Sequence, residues 1–144
     1  MPESRIQSGF SLVELMIVLV IASLLAAIAY PSYRDHLIRS ALPEATGGLA
    51  SYAMRMEEYY QDHLSYIDSA NACGVAPPST SKFAFTCTPG SKGKSYLLKA
   101  AGKAGDLTEF SYTLDQLGNQ VTIALPSDWG TVPANCWIQR RGSC

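Results

Sequence analysis

Residues 10 to 30, FSLVELMIVLVIASLLAAIAY, carry a single charged side chain, Glu14. A helix of 21 residues at about 1.5 Å each reaches roughly 30 Å, the thickness of a bilayer's hydrocarbon core. The stretch can therefore span a membrane, and in a chain of 144 residues it leaves room for one further domain, of about 100 residues. Glu14 lies near the start of the span, where burying an acidic group costs up to about 2.5 to 3.5 kcal/mol on insertion scales. A carboxylate in that position calls for a partner.

The rest of the composition excludes several function classes. A formal net charge of -1 provides no bulk field for nucleic acid or anionic lipid, so any such contact has to be local. The four cysteines, Cys73, Cys87, Cys136 and Cys144, all follow the span and include no C-x-x-C pair, which points to disulfides in an oxidising compartment rather than to zinc. His36 and His63 have no second ligand three or four residues away, and the acidic group Glu57, Glu58 and Asp62 reads as a solvated helix face. No catalytic signature appears, so neither an enzyme, a metal site nor a cofactor is expected.

Residues 1 to 9, MPESRIQSG, are polar, with Arg5 the only basic side chain. A secretory signal is cut after its apolar region, but Ala26 and Ala27 run on into further apolar chain. A cut before the apolar run, after Gly9, leaves Phe10 as the N-terminus and keeps the span. Pro31 removes a helical N–H donor and predicts a bend near Ser32. Arg34 and Arg39 beyond the span argue for the opposite membrane orientation by the positive-inside rule; the cysteines and the cut site outweigh them.

From Ile38 onward, Leu42, Ala45, Leu49, Tyr52, Met56, Tyr60 and Leu64 recur at steps of three or four, one stripe of a helix that should lie on a sheet. Pro43 and the pair Gly47-Gly48 predict bends or a break between residues 40 and 48. The segment 55 to 66, RMEEYYQDHLSY, is expected to close the helix, and 69 to 82 to form a loop. Four strand patterns follow: Phe83, Phe85 and Cys87 alternate in the first, SYLLKAAG is the second, Phe110, Tyr112 and Leu114 mark the third, and Val121, Ile123 and Leu125 the fourth. They suit an antiparallel meander with one face on the helix.

The irregular tail PSDWGTVPANCWIQRRGSC suits a covalent loop, which Cys136 and Cys144 would close, leaving Cys73 to pair with Cys87. Four cysteines allow three pairings, and the sequence does not exclude the other two. Lys82, Lys92, Lys94, Lys99 and Lys103 around the first hairpin, with Arg140 and Arg141 in the tail, are candidates for contact with DNA phosphates; lysines at sheet edges also serve to discourage aggregation.

Gly9-Phe10-Ser11-Leu12-Val13-Glu14, followed by an apolar run, resembles the class III signal of type IV prepilins and of type II secretion pseudopilins. The acidic and aromatic run at 55 to 66 resembles the end of the first helix in PilE-like minor pilins, and Cys136-Trp137 with a later Cys144 resembles the family's disulfide-bounded C-terminal region, in line with the pairings Cys73-Cys87 and Cys136-Cys144. The resemblance implies an α+β type IV pilin fold: a leader at 1 to 9, a membrane and filament-core helix at 10 to 30, its amphipathic continuation at 31 to 66, and a loop, sheet and disulfide region at 67 to 144.

The same resemblance implies cleavage after Gly9 and N-methylation of Phe10 by a prepilin peptidase, and storage in the inner membrane with a periplasmic domain. Assembly with other pilin subunits through an inner-membrane platform follows, into a surface filament that serves adhesion, twitching motility or DNA uptake. Glu14 would pair with a neighbouring subunit's Phe10 amine. The alternatives are a type II secretion pseudopilin and a DNA-binding competence pilin. One position departs from the pattern: Ser23 stands where many pilins have the helix-breaking glycine.

Overall fold

The computed structural model describes residues 10–142 and Cys144. The chain divides into two compact units, Met1–Leu37 and Ile38–Cys144. The expected leader, Gly9 included, lies outside the described residues.

Helix α1, Leu12–His63, runs through Pro31, Pro43, Gly47 and Gly48 without interruption, so the break expected between residues 40 and 48 does not occur. Packing explains this: each interior glycine costs about 1 kcal/mol, whereas Leu42, Leu49, Tyr52 and Met56 are all fully buried, at about 1.5 to 3 kcal/mol for each large apolar side chain. Gly48 has a further reason to be glycine. A Cβ there would overlap the Phe85 ring, while one at Gly47 would meet nothing.

The helix ends earlier than residue 66. Leu64 has φ 53° and its N–H donates to the Tyr60 carbonyl at 2.7 Å. That left-handed residue turns the chain, so Leu64, expected on the buried stripe, is 69% exposed. Tyr66 takes its place in the core, stacked on Tyr60 at 4.5 Å and edge-on to Tyr96 at 4.7 Å between ring centroids.

Strands β1 (Phe83–Pro89), β2 (Tyr96–Gly102), β3 (Ser111–Asp115) and β4 (Gln120–Ala124) form an antiparallel meander in chain order. Phe83, Phe85, Leu98, Ala100, Tyr112 and Leu114 join the helix stripe in one core. On the opposite face Thr86, Lys99, Thr113 and Val121 lie in register as a row.

The fourth strand reverses the expected pattern, since Thr122 is fully buried while Ile123 is exposed. The threonine hydroxyl donates to the Cys136 carbonyl at 2.6 Å and accepts from the Ile138 N–H at 3.0 Å, and its backbone bridges Ala134. A polar side chain is thus satisfied inside, where the alternation favoured Val121 and Ile123. The Tyr112 hydroxyl donates to the Ile138 carbonyl at 2.7 Å, the Trp137 indole N–H donates to the Thr113 carbonyl at 2.9 Å, and Trp129 meets Phe110 edge-on at 4.9 Å. Disulfides join Cys73 to Cys87 and Cys136 to Cys144, with Cα atoms 6.2 and 5.9 Å apart. At the other edge of the sheet, Ser79 bridges Ala84 of β1.

Where the helix meets the β1–β2 hairpin, the Glu57 carboxyl accepts from the hydroxyls of Tyr66, at 2.9 Å to each oxygen, and of Tyr96, at 3.0 Å. Burial, then the bond to Glu57, pushes the Tyr66 phenol up to about 12; the same causes raise Tyr96, and burial raises Tyr112.

Two predictions follow from this packing. Gly47→Ala is expected to stabilise the protein by about 0.5 to 1 kcal/mol, whereas Gly48→Ala, forced against Phe85, destabilises it by about 1 to 3 kcal/mol. Denaturant unfolding of the full chain in micelles, followed by tryptophan fluorescence, separates the two. In the unfolded chain the phenols ionise near 10, while folded Tyr66 keeps its proton up to about 12. The unfolded state releases protons first, so stability is intact below about pH 10 and falls between about 10 and 12. Tyrosinate absorbance should show a late group whose ionisation coincides with loss of circular dichroism. Titration of all eight tyrosines together near 10, with the fold intact, would contradict this.

Candidate assembly surface and nucleic-acid contacts

Within the N-terminal unit, α1 from Leu12 to Tyr30 is apolar on all sides apart from Glu14 and Ser23, and the polar residues Ser32, Arg34, Asp35 and His36 follow. An 18-residue window has a mean hydropathy of 2.8, and none of it is buried inside the molecule. Leu12, Val13, Leu15 and Val18 point in four different directions around the axis yet are all exposed, the mark of a helix that lipid or other helices must surround. Its few polar groups are handled locally. The Ser23 hydroxyl donates to the Val20 carbonyl at 2.8 Å, which satisfies it without an outside partner. Glu14 occupies the first turn, where the helix dipole favours a negative charge; among the described residues it has no hydrogen bond or ion pair. Phe10 precedes the helix and is exposed. Pro31 lies inside α1.

In the unit Ile38–Cys144 the basic residues divide into two groups. Lys82 lies 3.8 Å from Glu44, Lys103 donates to the Thr80 carbonyl at 2.6 Å, and Lys94 donates to the Leu64 carbonyl at 3.0 Å with its ammonium 5.5 Å from the Tyr60 ring centre. Arg141 pairs with Asp128 and sits over the Trp129 ring at 5.5 Å. Gly142 N–H donates to the Trp129 carbonyl at 2.8 Å, holding the same loop. Lys92, Lys99 and Arg140 are exposed and have no ion pair or hydrogen bond among the described residues. These three are the cations free to meet a phosphate. The tail therefore splits the Arg140-Arg141 pair into an outward residue and an anchored one. The anchor was not foreseen from the sequence, although an aspartate and a tryptophan adjacent in the same tail, Asp128-Trp129, are the signal for it.

His63 stacks on Tyr59 at 4.0 Å with its ring Nδ1 3.0 Å from the Tyr59 carbonyl. Among the described residues no group of three His, Cys, Asp or Glu side chains is arranged to hold a metal ion. An open groove of about 800 Å³ runs between α1 and the β3–β4 turn, with Met54, Glu57, Glu58, Asp115 and Leu117 among its lining. Burial opposes ionisation of Asp115, but hydrogen bonds from Asn119 and from the Leu117 N–H outweigh it and hold its carboxyl below the ordinary value.

Comparison with known proteins places these surfaces in a family. Residues 4–30 match the prokaryotic N-terminal methylation motif, and residues 31–114 match type IV minor pilin ComP, DNA uptake sequence receptor. The fimbrial protein EcpC of Eikenella corrodens is 35% identical over 104 residues, 72% of this chain and 62% of EcpC. The type IV major pilin PilE1 of Neisseria gonorrhoeae is 40% identical over 80 residues, 55% of this chain and 48% of PilE1. The chain thus spans about half to three-fifths of the length of these curated relatives. The non-core minor pilin PilV of Neisseria meningitidis shares the fold, with a TM-score of 0.52 over 71% of this chain and 96% of that one at 19% identity. Because more than half of the chain, residues 31–114, matches the minor-pilin family, the chain belongs to the type IV pilins and, within them, to the minor pilins described as ComP, DNA uptake sequence receptor.

Proposed function

We propose that the protein is a minor subunit of a type IV pilus, held in the inner membrane by residues 10–30 with its disulfide-bonded unit in the periplasm, and then transferred into a filament. The observation that carries this reading is the wholly exposed apolar window of α1, joined to a match to the N-terminal methylation motif over residues 4–30. In this reading a prepilin peptidase removes residues 1–9 after Gly9 and methylates the Phe10 amine. The chain is that enzyme's substrate and a structural protein itself. An inner-membrane platform receives it, and Pro31 supplies a kink in the helix. Leaving lipid forfeits apolar burial, and packing against other subunits' helices replaces it.

Glu14 has a defined task in this scheme. Its charge is costly in hydrocarbon, and the amine of Phe10 in a neighbouring subunit neutralises it and sets the axial register of the stack. Glu14→Val should leave cleavage after Gly9 intact, as read by mass spectrometry of the N-terminus, and reduce the amount of this subunit in sheared filaments by at least about tenfold, equivalent to one ion pair of about 1.4 kcal/mol. Normal incorporation would remove the register role.

A second reading, DNA reception, is favoured by the family match over residues 31–114. Lys92, Lys99 and Arg140 are the phosphate contacts in this reading, while Arg141 shapes the loop that presents Arg140. Purified protein in micelles should retard duplex DNA with an affinity that falls as salt rises, and Arg140→Ala should lower the salt slope by about 1. No retardation at low salt would end this reading while leaving the subunit role in place.

A further inference from the structure

We propose that the face of α1 formed by Tyr30, Tyr33, Arg34 and Leu37 is a binding site for an anionic membrane phospholipid, whose phosphate Arg34 holds where the helix leaves the bilayer. The proposal rests on the reading in which residues 10–30 span the inner membrane, and it gives a role to a basic residue that the positive-inside rule counts against that orientation.

Helical spacing brings the four residues together. At about 100° per residue, positions 30, 33, 34 and 37 fall within an arc of about 100°, and all four are exposed, Tyr30 at 65% and Tyr33 at 61%. Pro31, Ser32, Asp35 and His36 occupy the rest of the circumference. The helix therefore turns amphipathic at Tyr30, with an aromatic and apolar face on one side and a polar one on the other. Its position along the axis says what meets that face. Tyr30 is 30 − 10 = 20 residues beyond Phe10, roughly 30 Å of helix, and a hydrocarbon core has about that thickness. The face thus begins at the level where acyl chains give way to headgroups. Tyrosine suits that level, since its ring is apolar and its hydroxyl bonds to polar groups.

Arg34 is aimed at the same layer. Helical side chains lean toward the helix N-terminus, which here is the direction back to the bilayer. The Arg34 side chain follows it, with the central carbon of its guanidinium 6.0 Å from the centre of the Tyr30 ring, one turn nearer the membrane. A cation held at that depth lies among headgroups, and a planar guanidinium matches phosphate oxygens through paired N–H donors. Leu37 extends the apolar side by a further turn and is 48% exposed. A tilt toward this face lays Tyr33 and Leu37 on the interface and leaves Asp35 and His36 in water. Headgroup charge decides which lipid is preferred. A zwitterionic headgroup brings its own cation to compete with Arg34, whereas an anionic one does not.

The test places the full chain in nanodiscs holding equal amounts of phosphatidylglycerol and phosphatidylcholine, and native mass spectrometry counts the lipids that stay bound on release. Wild-type protein should retain phosphatidylglycerol in preference, and Arg34→Gln should lower the ratio of the two lipids by about fivefold, the worth of one arginine near a surface. Circular dichroism should not change, because the site is exposed and outside the core. Excess sn-glycerol 3-phosphate in the buffer should leave the ratio as it was. Equal retention of the two lipids by the wild type, or an unchanged ratio in Arg34→Gln, overturns the lipid site alone. Competition by sn-glycerol 3-phosphate overturns it as well, since a soluble phosphate would then suffice. A chain that does not enter the nanodiscs overturns the membrane reading and the site with it.

Discussion

The close approach of α1 to the sheet is the constraint on which the unit Ile38–Cys144 depends. Gly48 lets the Phe85 ring lie against the helix backbone, and that contact allows Leu42, Leu49, Tyr52 and Met56 to reach Leu98, Ala100 and Tyr112 with no solvent between them. A core of this size is modest. Covalent and polar ties supplement it: two disulfides, the Glu57 carboxyl shared by two tyrosines, and a tail anchored through Thr122 and Tyr112. The ties span from 8 residues, Cys136 to Cys144, to 39 residues, Glu57 to Tyr96. Together they hold the helix end, both hairpins and the tail in fixed positions.

The pattern of α1 changes along its length to suit two environments. Up to Tyr30 it is apolar nearly all round and exposed; from Ile38 a single stripe is buried and the remaining faces are largely polar, with Met54 exposed among them. Hydrophobic burial is satisfied inside the molecule in the second part and left for lipid or neighbouring helices in the first. The proposed role as a pilus subunit would account for that asymmetry, because such a subunit offers an apolar helix first to lipid and then to neighbouring helices.

Much of this was legible in the sequence because it rests on period and spacing. The stripe from Leu42 to Met56 and the four strands repeat apolar residues at or near the interval of the element they form. What was misread lies where one local group outweighs the period. Leu64 fits the stripe but falls after the left-handed turn that ends the helix. Thr122 breaks the alternation of β4 because the tail supplies partners for its hydroxyl. Gly47 and Gly48 look alike in sequence, and only the Phe85 ring tells them apart. Arg141 and Arg140 are likewise equal on paper, and Asp128 and Trp129 distinguish them. Tertiary partners of this kind leave no periodic trace.

The segments that bridge the outer strands carry a consequence for assembly. Ser79 pairs with Ala84 near the start of β1, and Ala134 pairs with Thr122 at the middle of β4, so each edge of the sheet already has a bridged neighbour at one point. An incoming strand would have to displace one of these, and in each case the displaced segment is fastened nearby, by Cys73 to Cys87 or by Cys136 to Cys144. Growth by β-augmentation, the route by which open sheets recruit one another into fibrils, is thereby hindered where those bridges stand. In the proposed filament, helix packing can then join subunits with less competition from cross-β pairing.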